Sequence, residues 1–481
     1  MEYLELIENS RDDMIKMLRE LLAIRSVEEP EAGEMPFGKG VHDAFLYMLD
    51  KAKNDGFGIE NIENHGGHVE FGGYILDEEG DVAYTSEEVF GILGHLDVVP
   101  EGNDWEFSPY GAEMSEGKVY GRGAIDNKGP VVASYFAMKA LKESGFIPEK
   151  KVRLILGLDE ETNWKGMDKY LQKVKAPSIG FTPDAQFPVI HGEKGILVFE
   201  LAKKISKGMT KGLELRSFKG GSAANMVADF ARVVVRDDKE KTYEKIKEKA
   251  EKYRKKHQRK VNVKGIGKSL EITAKGISSH GAQPESGLNA ISVMMDFLGK
   301  LSFANDDIND FVSFYNEHIG FELNGASMGC GLSDEASGNL IFNTGMIDMD
   351  PEAGIITVNI RYPVTMNEDV VYDAMMPVVN KYNLGVVKAK SQPPIYFPKD
   401  APVVSTLMDI YRRHTGDNES EAIVIGGGTY ARAAENLVAF GGLFPGQEDM
   451  GHKKNEYIEI GKMVLMSKIY AEAIYELSKS E

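Results

Sequence analysis

The chain has 481 residues, more than one ordinary core accommodates, because single cores stop growing at roughly 250–300 residues; two domains are expected. Apolar content of 42% and charged content of 27% are those of a globular chain in water, and no apolar run reaches the about 20 residues needed to span a bilayer. A formal charge of −19 repels phosphate backbones and argues against nucleic acid as a general partner, and membrane insertion is not expected either.

The opening stretch, residues 1–27, mixes acids and bases in an amphipathic pattern. It lacks the basic flank, apolar centre and small-residue cleavage site of a secretory signal, so it reads as a first helix. The single cysteine, Cys330, allows no internal disulfide and reads as a small buried side chain. Such sparing use fits a reducing cytoplasm.

Between residues 90 and 183, short apolar runs alternate with helical patterns: "VFGILG", "GPVVASYFAMKALKES", "KVRLILGL", "WKGMDKYLQKV" and "SIGFTP". Alternation of this kind predicts an α/β fold with a mainly parallel sheet and helices on both faces. Ligands in such sheets gather at the carboxyl ends of the strands. That rule sets "GHLD", "LDEE" and "TPDAQ" on one rim.

Residues 195–392 change character. Gly-rich joints such as "FKGGSAAN", β-like runs such as "GIITVNIRYP" and a Lys-rich stretch at 239–260 predict an inserted α+β domain. Acids interleave with the lysines at helical spacing and aromatics are few, so that stretch reads as a solvated helix and not as a nucleic-acid patch. From residue 393 the α/β alternation returns, through "EAIVIGGGTYARAAEN" to a closing helix. The expected layout is a discontinuous first domain, 1–194 and 393–481, interrupted by a second at 195–392.

A charge run such as Asp159-Glu160-Glu161 is, taken alone, usually a solvated turn. Its neighbours on the rim change that. His95 ends a strand with Asp97 two positions on, where extended chain faces the same side, so Asp97 is expected to bond one imidazole nitrogen and leave the other for a metal. Asp126 opens a helix, Asp184 follows the third strand, and His452 lies in the polar turn "GQEDMGHKKNEY". His95, Asp126, Glu161, Asp184 and His452 together make a mixed nitrogen and oxygen donor set. With Asp126 shared, it suits two zinc ions, with cobalt or manganese tolerated. Adjacent residues at a strand end point in different directions, so one glutamate of the pair can ligate while the other stays free as a base. His42, His65, His68, His257, His318 and His414 read as isolated imidazoles, structural or on the surface, and His191, near the rim by sequence, lacks an acidic neighbour at useful spacing and is left out.

In this order, "GHLDVVP", "YGRGAIDNKGP", "GLDEET", "TPDAQFP", "HGEKG" and "GHKKNEY" resemble the co-catalytic zinc exopeptidase family, which includes aminoacylase, acetylornithine deacetylase, succinyl-diaminopimelate desuccinylase and carnosinase-like dipeptidases. The resemblance covers nearly the whole chain. "WEFSPYGAEM", "IGGGTYAR" and "FPGQEDMGHKKNEY" look most like its bacterial dipeptidase V branch, the Xaa-His dipeptidases.

The resemblance implies Glu160 as general base and a water between the ions as nucleophile. It pairs His95 with Asp184 on one zinc and Glu161 with His452 on the other, with Asp126 bridging and Asp97 behind the imidazole. It also implies a cis peptide after Asp126, where Asn127 stands in place of an acid often found there. In the inserted domain, expected to act as a lid, His280 of "KGISSHGAQPESGLNA" is the implied donor to the oxyanion. Asn225 and Arg361 are the implied grip on the substrate carboxylate. Gly427 and Thr429, in "IGGGTYAR", are candidates for the same pocket, against the simpler reading of a helix-packing turn.

The implied activity is hydrolysis of dipeptides or very short peptides with a free N-terminus, by a monomer. The alternatives are an N-acyl amino acid deacylase of the same chemistry and a metal-dependent peptide-binding protein without catalysis.

Overall fold

A computed structural model of the chain describes residues 2–77, 79–206 and 211–479. These residues form two compact units. The first comprises residues 1–191, 397–423 and 428–481, and the second residues 192–396 and 424–427.

The first unit is built on a mixed sheet. Strand Val89–His95 lies between Lys151–Gly157 and Ile179–Thr182, parallel to both, and Leu437–Phe440 continues the parallel set beyond Ile179–Thr182. The parallel centre is the one expected from the alternation. The flanks are antiparallel: Gly67–Gly72 against Lys151–Gly157 on one side, and Val189–Glu193 against Leu437–Phe440 on the other.

All seven residues of Val89–His95 are buried, as required of a strand covered on both faces, which is why it reads as continuous apolar chain instead of alternating. Helices Lys128–Glu143 and Ile460–Leu477 pack on one another and bury most of their residues. The amphipathic start forms two helices, Glu2–Asn9 and Arg11–Leu22, with Ser10 between them.

Side-chain size is restricted where the sheet is tight. A Cβ on Gly180 would lie 1.9 Å from the Gly91 carbonyl oxygen of the neighbouring strand. One on Gly157 would lie 2.3 Å from Tyr430 Oη.

The second unit has its own core around an eight-stranded sheet, with Gly195–Lys204, Ala353–Tyr362 and Ile341–Met349 adjacent and antiparallel. The Lys-rich stretch is the helix Glu240–His257, which buries only Ile246, Ala250 and Tyr253 and leaves its charged face in solvent. Cys330 is free and buried. Among the described residues, no helix is long and apolar enough to cross a membrane.

Candidate metal centre

The three central parallel strands end side by side, and the chain immediately after each carries acid. His95 is the last residue of its strand and is fully buried. Its Nε2 lies 3.1 Å from Asp126 Oδ1 and 3.7 Å from Asp184 Oδ1. Across the same aspartate, His452 Nε2 lies 3.0 Å from Asp126 Oδ2 and 3.0 Å from Glu161 Oε1. Asp126 thus presents one oxygen to each imidazole. The Asp126–Asn127 peptide is cis.

Two overlapping groups bring donor atoms within 4.8 Å of one another: His95, Asp126 and Glu161, and His95, Glu160 and Asp184. Glu160 therefore stands beside the donor cluster as closely as the residues assigned to it by resemblance.

Asp97 meets one His95 ring nitrogen through both its backbone and its side chain. His95 Nδ1 donates to the Asp97 backbone carbonyl at 3.0 Å, with Asp97 Oδ1 further off at 3.4 Å. Its other carboxylate oxygen accepts from the Glu161 N–H at 3.0 Å. One buried residue thus orients the imidazole and also ties down the acid-bearing turn, the kind of support a ligating histidine needs. Asp159 serves the same turn, both oxygens accepting from the Gly166 N–H at 3.1 and 3.0 Å. Burial, then the charges of Asp97 and Glu28, push it up to about 6.

Asn127, whose role the sequence left open, is fully buried. Its Oδ1 accepts from the His95 N–H at 3.4 Å, and its Nδ2 donates to the Pro183 carbonyl at 3.3 Å. A neutral amide joins the His95 and Asp184 loops by donating to one and accepting from the other. A carboxylate could only accept.

The electrostatics test whether these residues fit a metal. Burial raises Glu160, and the charges of Asp184, Glu161 and Asp97 raise it further, well above the usual carboxylate range. Glu161 and Asp184 are also raised, first by burial and then by Asp126. Asp126 goes the other way: burial would raise it, but hydrogen bonds from His452 and His95 hold it well below the ordinary value. His452 is pushed up to about 11 by its bonds to Asp126 and Glu161. His95 is raised by Asp184 and Asp126 despite full burial. The cluster carries more negative charge than its two imidazoles offset. Dications would remove that repulsion, and the donor set of two nitrogens and several carboxylates matches zinc chemistry.

Two aromatic residues that were not singled out from the sequence pack here. Tyr430 is buried edge-on to His95 and to Trp164, and Trp164 Nε1 donates to the Glu160 carbonyl at 2.7 Å. Glu456 was also missed; its carboxylate accepts four hydrogen bonds from the Asp126 loop. Thr429 Oγ1 accepts from the Ala431 N–H at 3.2 Å, capping its own short turn. Gly427 falls among the residues grouped with the second unit, where an added Cβ would meet only Ile425 at 3.6 Å.

Within the second unit, His280 pairs as an isolated bridge with Met226, and the Gly281 N–H donates to the Asn225 carbonyl at 2.6 Å. Arg361 is buried, its Nε donating to Asn359 Oδ1 at 3.0 Å. Partial burial and then the Arg361 charge lower the His280 pKa.

The chain has relatives among known proteins in both sequence and fold. The chain is 35% identical over 479 residues to YtjP of Bacillus subtilis (strain 168), named provisionally as a dipeptidase, with 98% of each chain covered. In fold it resembles human carnosine dipeptidase 1, with a TM-score of 0.57 at 15% identity, over 99% of this chain and 98% of that one. It also resembles aminoacylhistidine dipeptidase from Vibrio alginolyticus, with a TM-score of 0.56 at 14% identity, over 95% of each. The model of Peptidase family M20/M25/M40 matches residues 91–476, most of the length and all of the donor cluster, and the chain belongs to that family.

Proposed function

We propose that the protein is a di-zinc dipeptidase that hydrolyses dipeptides or very short peptides with a free N-terminus, acting as a monomer. One observation carries the reading: Asp126 offers its two oxygens to two different imidazoles at 3.1 and 3.0 Å, with Asp184 and Glu161 on either side and Glu160 adjacent. The full-length similarity to a chain named as a dipeptidase supports the substrate class.

His95 and Asp184 would hold one zinc, Glu161 and His452 the other, with Asp126 between; cobalt or manganese would serve as well. Bound there, the ions would make water acidic near neutral pH and polarise the scissile carbonyl. Glu160 takes a proton from the attacking water at its carboxylate and returns it to the leaving amine. Asp97 and Asn127 keep His95 and its loop oriented throughout.

From the second unit, read as the lid, we carry over His280, Asn225 and Arg361 on the family resemblance. His280 Nδ1 accepts from the Ala282 N–H at 3.2 Å, so the proton of the neutral imidazole sits on Nε2. That N–H is the donor to the developing oxyanion, a contribution of about 3–4 kcal/mol for a well-placed group. Asn225 and Arg361 hold the substrate carboxylate.

The test is to strip metal with a chelator, restore zinc stepwise, and assay a dipeptide beside the corresponding N-acetyl amino acid. Dipeptide hydrolysis rising to a plateau at two equivalents is expected. Hydrolysis of the acetyl compound alone would replace this reading with a deacylase.

A further inference from the structure

The Asp126 loop and the turn that presents His452 are more than 300 residues apart in sequence, and a single buried carboxylate ties them. Glu456 has no solvent exposure. Its Oε1 accepts from the Ile125 N–H at 2.9 Å and the Asp126 N–H at 3.1 Å. Its Oε2 accepts from the Gly123 N–H at 3.0 Å and from Arg122 Nη1 at 2.6 Å. The backbone adds to this, with the Gly121 N–H donating to the Glu456 carbonyl at 2.9 Å and Tyr457 pairing with Tyr120. Glu456 is thus bound to nearly every residue of the 121–126 loop that ends in Asp126.

Four residues before Glu456 is His452, in the left-handed region at φ 61°, as is Asn455 at φ 57°. Non-glycine residues hold that conformation when surrounding contacts impose it. Such contacts surround this turn: Asn455 Oδ1 accepts from the Glu106 N–H at 2.8 Å and the Phe107 N–H at 3.4 Å, and Glu456 comes directly after it. The His452 side chain is 56% exposed, so little packing around the ring itself sets its position. Its 3.0 Å approach to Asp126 depends on the anchored chain behind it.

Resting on the proposed metal centre, we infer that Glu456 is a positioning residue for that centre, its carboxylate holding the Asp126 loop and the His452 turn in mutual register so that both reach one shared ion. It is fully buried and lies outside the groups of donor atoms assigned to the ions. The ion pair with Arg122, which also lies over the Trp105 ring, contributes to stability. The bonds to backbone N–H groups set the geometry.

The experiment separates these two roles in the full-length protein. Zinc affinity is measured by competition with a chromophoric chelator, and cobalt absorption reports coordination, for the wild type, Glu456→Gln and Arg122→Lys. Wild type is expected to bind two equivalents; no binding would end the metal-centre reading itself. Glu456→Gln is expected to weaken the more loosely held equivalent about 10–100-fold and lower kcat by a similar factor, with KM within about threefold and an altered cobalt spectrum, the usual scale for outer partners of metal ligands. Arg122→Lys keeps the three backbone bonds to Glu456. It should lower the unfolding midpoint while leaving zinc affinity within about threefold.

Should Glu456→Gln fail to fold, Glu456→Asp, one methylene too short to reach both ends of the loop, carries the same comparison. Two wild-type zinc affinities in the folded Glu456 variant would overturn the inference and leave the metal centre standing. An equal loss of affinity in Arg122→Lys would overturn it as well, by reducing Glu456 to one half of a stabilising ion pair.

Discussion

The rim of the first unit and the surroundings of His280 in the second both gather polar side chains, but they handle charge in opposite ways. On the rim, carboxylates crowd around imidazoles, and the acids that His95 and His452 touch raise both above the ordinary histidine value. Around His280 the charged neighbour is an arginine, and the imidazole is pushed toward neutrality. A cluster of excess negative charge calls for cations. A neutral imidazole beside a buried guanidinium suits donation to an oxyanion and capture of a carboxylate. The two regions differ in chemistry before any substrate is considered, and substitutions in each should fail in different ways.

The largest expected effect is on the rim. Glu160→Gln removes the proton acceptor while leaving every residue assigned to zinc in place. Activity should fall roughly 10³-fold, within the 10²–10⁴ range for general acid–base groups, with two zinc equivalents still bound. Metal analysis beside steady-state kinetics reads both quantities. Lost zinc with the activity would make Glu160 a ligand and remove the distinction between the two glutamates.

In the second unit the effects divide between kcat and KM. His280→Ala should lower kcat about 10²–10³-fold with KM nearly unchanged, because the lost bond strengthens only as the oxyanion forms. An unchanged kcat would remove His280 from the reaction. Arg361→Lys should act mainly on KM, raising it about tenfold for a dipeptide and hardly at all for the dipeptide amide. Lysine keeps the charge but loses the planar fork that suits a carboxylate. Equal effects on both substrates would detach Arg361 from the carboxylate.

Much of the rim was legible because strand ends advertise themselves. "VFGILGH", "KVRLILGL" and "SIGFTP" each finish an apolar run, and parallel pairing brings the residues just beyond them to one edge. Asp126 and His452 were legible only as motifs, since their meeting depends on loops separated by most of the chain. Glu456 could not be picked out, because one acid in "KKNEY" looks like any solvated turn until four N–H groups are seen to converge on it. Asp97 was assigned the right neighbour, and its carboxylate faces the expected imidazole nitrogen at 3.4 Å, but the closer contact from the backbone carbonyl was not foreseen. The strand ends at His95, the alternation stops there, and it is the backbone carbonyl of Asp97 that accepts the 3.0 Å bond. Arg361, which strand statistics would place at the surface, is buried, and pattern alone does not signal that.

The smallest expected effect asks whether acids or burial decide the state of an imidazole. His68 lies in the same sheet as His95 and is also buried, yet its pKa is lowered to about 3 by burial and by Arg153. Tyr170 Oη lies 2.9 Å from its Nδ1, and Glu60 and Glu70 face its Nε2 at 3.6 and 3.8 Å. Glu70 is engaged by Arg153, and Glu60 is half exposed, so neither offsets the cost of burying a cation. His68 is thus the first unit's counterpart of His280. Below the ordinary value of about 6.5 the unfolded chain takes up a proton that folded His68 refuses, so stability falls as pH drops from there toward 3, by up to about 1.4 kcal/mol per pH unit. His68→Gln keeps an acceptor for Tyr170 and loses the titration. Between pH 7 and 5.5 the wild type should lose about 1 kcal/mol more than the variant, measured from urea midpoints. Equal losses would show His68 protonating freely in the folded state, which would leave burial too weak to explain a neutral His280 and make its Arg361 neighbour the deciding charge.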